Sequence, residues 1–417
     1  MKKFLAQLLA VVLALSLMTC GGFALAESDT IEINFVAAQY SDATEAYMRK
    51  VCEAFEAEHP NIKINLEVIG WDSISTTVNT RVANRQAPDL YNGGSASQFV
   101  ADDLLYKPED IISDELKADF YDVFWTNNID PDLGEVYQIP YVASVRALYC
   151  NKKLMDEAGV TPPKTWNEVR EACAKIKEYY NGDVYAWGLD ATTTEGQTTV
   201  AYYCWSNGGG YVDEDGNWIL NCDANVEGFE YIKELYDNGY TNENPTSETR
   251  DDLQKLVAND KLAMLVTACF FPALYPDTEL YISDIPYNDE TQSASSTLGV
   301  QDALIFFNEN AKATKDSPEK LQAIADFCDY FYAADNYTPF MIQEGLLPAT
   351  NSGAEKLAQD DPDKAAYMSV LEGAKFYARS KQDWSDGAYA VIDAAQNMLT
   401  GMQTAREALD EAQAVVG

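Results

Sequence analysis

Regular patterning begins at Ile31. From Ile31 to Ala38 apolar and β-favouring residues run almost unbroken, the mark of a buried strand. Ala46, Val51, Ala54 and Phe55 then recur near helical spacing until His59-Pro60 stops the helix. Ile62, Ile64, Leu66 and Val68 alternate with polar residues, so Ile62 to Ile69 reads as a half-buried strand. A second helix covers Ser73 to Asn84, and Pro88-Asp89-Leu90-Tyr91 begins a third, short strand. Strands alternating with helices at this spacing predict a parallel sheet covered by helices. Ligands of such sheets bind beyond the carboxyl ends of the strands. Those ends are Gln39-Tyr40, Gly70-Trp71-Asp72 and Asn92-Gly93-Gly94-Ser95.

A second set of elements starts at Val136. Pro140-Tyr141 precedes the extended stretch Val142 to Cys150, and Pro162-Pro163 with Trp166 introduces a helix through Tyr180. Asp183 to Leu189 is a strand, followed by a polar loop from Ala191 to Thr199 and a helix leading to Gly208-Gly209-Gly210. Asp215-Gly216-Asn217 predicts a hairpin turn. Helices over Val226 to Asn238 and Asp251 to Asn259 and a strand from Leu262 to Val266 follow. No short repeat and no low-complexity linker interrupts the chain. The α/β pattern itself recurs, once in each half.

The start of the chain bears on its destination. Lys2 and Lys3, the apolar run Phe4 to Leu17 and the small residues ending in Ala24-Leu25-Ala26 read as a secretory signal over residues 1–26. The run falls short of the ~20 residues a membrane span needs. Leu17-Met18-Thr19-Cys20-Gly21 is similar to a lipobox, in which Cys20 would be acylated, but Thr19 stands where Gly, Ala or Ser is usual. Cleavage after Ala26 is the expectation. The protein is then exported, extracellular or held at the cell envelope.

About 390 mature residues exceed one ordinary core and predict two lobes. With 67 acidic against 29 basic residues, the net charge of −38 repels nucleic-acid phosphates and anionic lipid surfaces, and suits solubility outside the cell. Cys52, Cys150, Cys173, Cys204, Cys222, Cys269 and Cys328 are scattered without C-x-x-C spacing, and His59 is the single histidine. A zinc site is therefore not expected. The cysteines read as buried free thiols, with Cys204 and Cys222 the one pair to check for a disulfide.

Several ordered segments carry a resemblance. They include Phe55-Glu56 before Pro60, Pro88-Asp89-Leu90, Ile139-Pro140-Tyr141 with Leu148-Tyr149-Cys150-Asn151-Lys152, and Pro162-Pro163-Lys164-Thr165-Trp166. Asn207-Gly208-Gly209, Leu262-Ala263-Met264, Gly345-Leu346-Leu347-Pro348, Thr400-Gly401 and Ala408-Leu409 follow in order. Together the chain resembles the family-1 extracellular solute-binding proteins of ATP-binding-cassette importers, which include the maltose-binding proteins. The resemblance implies an α/β, two-lobed, periplasmic-binding-protein-like (type II) fold. Each lobe is a mainly parallel sheet flanked by helices, and hinge strands join them. Carried onto this chain, one lobe is 28–142 plus 293–346 and the other 148–290 plus 350–417, with crossings near 143–147, 287–293 and 347–350. It further implies a monomer that captures a sugar or oligosaccharide, hands it to membrane permease subunits, and uses no cofactor, metal or nucleic acid.

A sugar needs flat aromatics for its C–H faces and side chains that both donate and accept for its hydroxyls. The chain has 7 Trp and 26 Tyr, which permits such a site. Phe270 follows the Ala263-Met264 strand where maltose-binding proteins carry a stacking Trp, and Phe271 is its alternative. Tyr40, Trp71 and Asp72 end the first two strands, and Asn92 and Ser95 lie in the glycine-rich loop after the third. Ser144 and Arg146 lie in the first crossing, although Arg146 is open to pairing with a carboxylate instead. Gln197 and Thr199 precede the helix holding Trp205, for which core packing and ligand contact are both open. Asp302, near the second crossing, and Trp384 and Tyr389, at the last helical segment, complete the candidates.

Other function classes are weaker. A glycoside hydrolase needs two carboxylates at a set separation, but among 67 acidic residues a pair always exists, so their number decides nothing. No G-x-S-x-G, H-E-x-x-H or P-loop pattern occurs. A ferric-ion binder would use adjacent tyrosines such as Tyr179-Tyr180 or Tyr202-Tyr203. A polyamine is the remaining solute class, since the acidic field attracts cations.

Overall fold

The computed structural model describes residues 30–130, 133–291, 295–371, 374–376 and 378–417. The signal segment 1–26 and Cys20 lie outside them. Eight strands form the framework: β1 (Ile31–Gln39), β2 (Ile62–Gly70), β3 (Leu90–Gly93), β4 (Gln138–Asn151), β5 (Tyr185–Trp187), β6 (Leu262–Ala268), β7 (Leu280–Ser283) and β8 (Gly299–Phe306). Their order is β2-β1-β3-β8-β4-β6-β5, with β7 also on β4. β2, β1 and β3 are parallel, as the alternation with the helices Thr44–Glu58 and Ile74–Ala83 predicts, and β8 runs antiparallel between β3 and β4. Beyond β4, β5 and β6 are parallel to each other, while β6 and β7 lie antiparallel to β4.

β4 is shared by both lobes. Gln138 to Val145 pairs with β8, whereas Arg146 to Cys150 pairs with β6 and Leu148 to Asn151 with β7. Nearly the whole strand is buried, so its residues read as a continuous apolar run rather than as an alternation.

Each lobe has its own core. In the first, Tyr141 stacks on Phe331 with ring centroids 5.1 Å apart, among Phe35, Phe55, Phe327 and Phe340. In the second, Trp166 stacks on Tyr231 at 4.1 Å, among Leu148, Phe229 and Met398. The Tyr337 hydroxyl ties the Gly345–Thr350 turn to β4, donating to Tyr141 O at 2.5 Å and accepting from Ala349 N at 3.1 Å.

Residues after 350 depart from the expected division. Leu357 belongs to the first core, Asn351 Nδ2 donates to Asp119 O at 2.9 Å, and Thr338 Oγ1 donates to Gly353 O at 3.1 Å. The helix Asn351–Asp360 therefore packs on the first lobe, not the second. Phe376 still packs on the first core, and the chain joins the second at Trp384. The cysteines among the described residues are free thiols, so Cys204 and Cys222 are not bridged.

The first lobe also holds a buried ion cluster. Asp89, at the entry to β3, meets Lys312 Nζ and Lys320 Nζ at 2.8 Å each and accepts from Asn34 N at 2.8 Å. Burial alone would raise its carboxyl, but Lys312 and Lys320 outweigh that and hold it below the ordinary range. A lowered folded pKa contributes stability above the unfolded value, and that contribution fades as pH falls through the folded one. Asp89→Asn leaves the lysines underpaired and should cost about 3–5 kcal/mol in urea unfolding at pH 7. The gap to wild type should narrow as pH falls below about 4. An unchanged midpoint at pH 7 would contradict this.

Candidate functional site

Where β4 passes from one sheet to the other it carries two polar side chains, Ser144 and Arg146, each 5% exposed. Arg146 Nη1 donates to Ser144 Oγ at 3.0 Å, and Nε donates to the Tyr202 hydroxyl at 3.2 Å. Nη2 lies 3.5 Å from Glu195 Oε2. Glu195 stands before the helix Gly196–Trp205, and its other oxygen pairs with Arg250 at the start of the helix Arg250–Ala258. The Arg250 guanidinium sits 5.2 Å over the Phe270 ring, at the exit of β6.

The first lobe brings a second polar group to this place. The Tyr40 hydroxyl donates to Asp302 Oδ2 at 3.2 Å and accepts from Asn92 Nδ2 at 3.2 Å, and its ring meets Trp71 edge-on at 5.7 Å. Asp302 Oδ1 lies 3.5 Å from Arg379 Nη1, which also donates to Gly94 O at 3.2 Å and Gln301 O at 3.1 Å. Ser95 Oγ donates to Arg379 O at 2.5 Å.

The two groups share one electrostatic environment. Burial works to raise the Glu195 carboxyl, but Arg250, Arg146 and Arg379 together hold it below the usual range. Burial raises Asp302 above its ordinary value despite Arg379, and burial followed by Asp302 pushes the Tyr40 phenol well up. Arg146 and Arg379 thus act on both carboxylates. Three of the chain's eight arginines converge on Glu195 in a protein of net charge −38.

The structure gathers Tyr40, Trp71, Ser144, Arg146, Phe270 and Asp302 there, and Ser95 beside Arg379. Arg146 makes the carboxylate pair left open above, and does so within the cleft. Thr199 lines a recess of about 370 Å³, open in part to solvent, next to Arg146, Glu195 and Arg250. Gln197 lies on the same helix, its backbone carbonyl accepting from the Tyr211 hydroxyl. Asp72 is exposed and accepts from Ser73 Oγ at 3.1 Å, and Tyr389 is 59% exposed on the helix Trp384–Leu399.

Four expectations are corrected. Phe271 is fully buried, edge-on to Tyr149 at 5.5 Å, and so is a core residue. Trp384 stacks on Trp218 at 6.0 Å, and Trp205 packs near Tyr211; both belong to the second core. Asn92 is 0% exposed, and its amide binds Ala38 N at 3.1 Å and Ala303 O at 3.3 Å, which locks β1, β3 and β8 together. The tyrosine pairs form no ferric site either: Tyr203 accepts from Trp187 Nε1 at 2.7 Å within the core, and Tyr180 donates to Leu154 O at 3.1 Å. Glu195, Arg250 and Arg379 were not anticipated. The arginines had a signal, being scarce in an acidic chain. Glu195 had none among so many carboxylates.

Residues 38–277 match the family described as bacterial extracellular solute-binding protein. The chain belongs to that family. A protein of Brucella abortus named as a binding protein is 29% identical over 408 residues, covering 96% of this chain and 94% of its own length. The melibiose/raffinose/stachyose-binding protein of Bacillus subtilis is 28% identical over 152 residues, 34% of this chain and 33% of its own. Among solved structures, the maltose-bound MalE3 of T. maritima superposes with a TM-score of 0.78 at 17% identity, covering 92% of this chain and 98% of that one. A Thermotoga lettingae transporter binding protein with α-D-tagatose gives 0.77 at 19% identity, covering 93% and 100%. These likenesses place the solute-binding protein in the two-lobed fold, and its two sheets meet on β4 at Val145 and Arg146, where the Arg146 charge reaches Asp302.

The opposite shifts of the two carboxyls order their variants. Glu195 is held ionised, so Glu195→Gln strands Arg146 and Arg250 and should lower stability at pH 7 by about 3 kcal/mol. Asp302 has its charged form disfavoured, so it subtracts stability as pH rises through its raised pKa. Asp302→Asn should therefore cost less than Glu195→Gln in urea unfolding at pH 7. The reverse order would contradict the assignment.

Proposed function

We propose that this protein is the solute-capturing component of an ATP-driven importer, holding a sugar or oligosaccharide between its lobes and delivering it to a membrane permease. The observation that carries the reading is the composition of the cleft. Tyr40 with Trp71 on the first lobe, and Phe270 at the exit of β6 where it packs against the first core beneath Arg250, offer aromatic surface to C–H groups. Between them, ion-paired guanidiniums and carboxylates supply donors and acceptors for hydroxyls, held by partners that fix their direction. The names of the sugar-binding relatives and the sugars in the superposed structures support the same solute class.

The lobes turn about the shared strand. Ala143 to Ala147 of β4 and the segment entering Trp384 are the crossings that absorb the rotation, and the entry to β8 is the third. A solute held by both lobes gains its full contacts only when the lobes close, so it favours the closed population. The protein acts alone as a monomer and returns its solute unaltered. The A-x-A site at Ala26 supports export with signal cleavage there, in preference to acylation at Cys20.

Calorimetry of the mature protein against maltose, raffinose, melibiose and tagatose tests this. At least one should bind, and chromatography should return it intact. Phe270→Ala, with its fold verified, should weaken that sugar by ~1–3 kcal/mol through lost aromatic burial and stacking. Absence of binding across the panel, or steady product formation, would overturn the reading.

A further inference from the structure

The recess in the second lobe holds an acid that nothing above uses. Asp190 follows β5, is 4% exposed, and lines the recess with Thr199, Glu195, Arg250 and Arg146. Its Oδ1 accepts from Thr192 N at 2.8 Å. Its Oδ2 is enclosed and has no hydrogen-bond partner in the protein. The Arg250 amide and the Thr192 side chain lie close enough to pull the carboxyl down somewhat, but neither completes a hydrogen bond to Oδ2, so this buried acceptor lacks a full donor. The neighbouring guanidiniums are directed elsewhere: Arg250 to Glu195 and Asp251, and Arg146 to Ser144, Tyr202 and Glu195.

We propose, resting on the sugar-binding reading, that the recess is a subsite for one neutral sugar hydroxyl, which donates to Asp190 Oδ2 and makes Asp190 a determinant of which sugar is accepted. Two observations select that chemistry. An ammonium group would enter beside Arg146 and Arg250, whose charge Glu195 and Asp190 only balance, so a polyamine terminus finds no net attraction there and a neutral hydroxyl is favoured over it. Leu253, Leu265 and Val266 form an apolar wall, which suits the C–H surface next to a hydroxyl and not an inorganic anion. Glu195 and Asp190 then have separate roles in one recess. The first neutralises arginines, and the second receives the solute.

The state of the acid agrees with this geometry. Burial, with Glu195 adding to it, raises the Asp190 carboxyl to about 6. The other charged groups facing it do not titrate between pH 5 and 7.5: Glu195 is held low by its arginines, Arg146 and Arg250 stay charged, and burial raises the Tyr203 phenol. Thr192 N occupies Oδ1, so the proton goes to Oδ2 and turns an ionised acceptor into a much weaker neutral one; affinity for a sugar using it should fall as pH drops through about 6.

The experiment is calorimetry with the best-binding sugar of maltose, raffinose, melibiose and tagatose, its monodeoxy analogues, and spermidine as the cationic probe. In wild type, one deoxy analogue should bind at least tenfold more weakly than its parent, and its affinity should lose the parent's dependence on pH between 5 and 7.5. In Asp190→Asn, parent and that analogue should bind within twofold of each other, a coupling that a merely structural role would not produce. Should the variant fail to fold, the pH comparison in wild type still decides. Sugar binding with no analogue singled out, with unchanged coupling in Asp190→Asn or with equal pH dependence for parent and analogue, overturns the subsite and leaves the importer reading standing. Binding of spermidine in place of every sugar, or of nothing, overturns both.

Discussion

The structure depends on β4 being one strand in two sheets. Every peptide group along Gln138–Asn151 must find a partner, and the strand is buried almost throughout, so water cannot supply one. β8 provides it on one side up to Val145, and β6 and β7 provide it from Arg146 and Leu148 onward. Ala143 also accepts from Leu347 N at 2.8 Å, which pins the return of the chain to the same point. A one-residue slip would turn every side chain to the opposite face. Ser144 and Arg146 are thereby held at the junction whichever way the lobes turn.

Charge gives the junction its chemistry. The chain carries a net charge of −38, yet three of its eight arginines lie at this junction. Arg146, Arg250 and Arg379 are each held by a carboxylate, a carbonyl or a hydroxyl, so the cleft presents oriented dipoles and not loose charge. That arrangement suits a neutral polyol, which both donates and accepts. Arg379 also joins the lobes in another way. Its segment rests on Gly94, Ser95 and Asp302 of the first lobe and then enters the second core at Trp384.

Much of this was legible along the chain, for identifiable reasons. β1, β2 and the helices between and after them obey clean periods of two and 3.6, and their observed bounds fall within a residue or two of those read from the pattern. β7 and β8 were not read, because Leu280–Ser283 is short and half-buried and β8 interrupts its apolar run with Gln301 and Asp302. The packing of Asn351–Asp360 on the first lobe depends on contacts with Asp119 and Thr338, far away in sequence. In the site, strand ends located Tyr40, Trp71 and Phe270, but strand position does not say which way a ring turns. Phe271 differs from Phe270 by one residue and points into the core. Asp190 was hidden for the same reason as Glu195: its chemistry lies in what surrounds it, and a carboxylate in this sequence is otherwise unremarkable in number.

The claim on which the rest turns is that a sugar is caught between the lobes and closes them. Small-angle scattering of the mature protein, alone and saturated with the sugar that calorimetry identifies, reads it most directly. The radius of gyration should fall on saturation, since a solute held by both lobes favours the closed population. An identical scattering curve with and without bound sugar would contradict it.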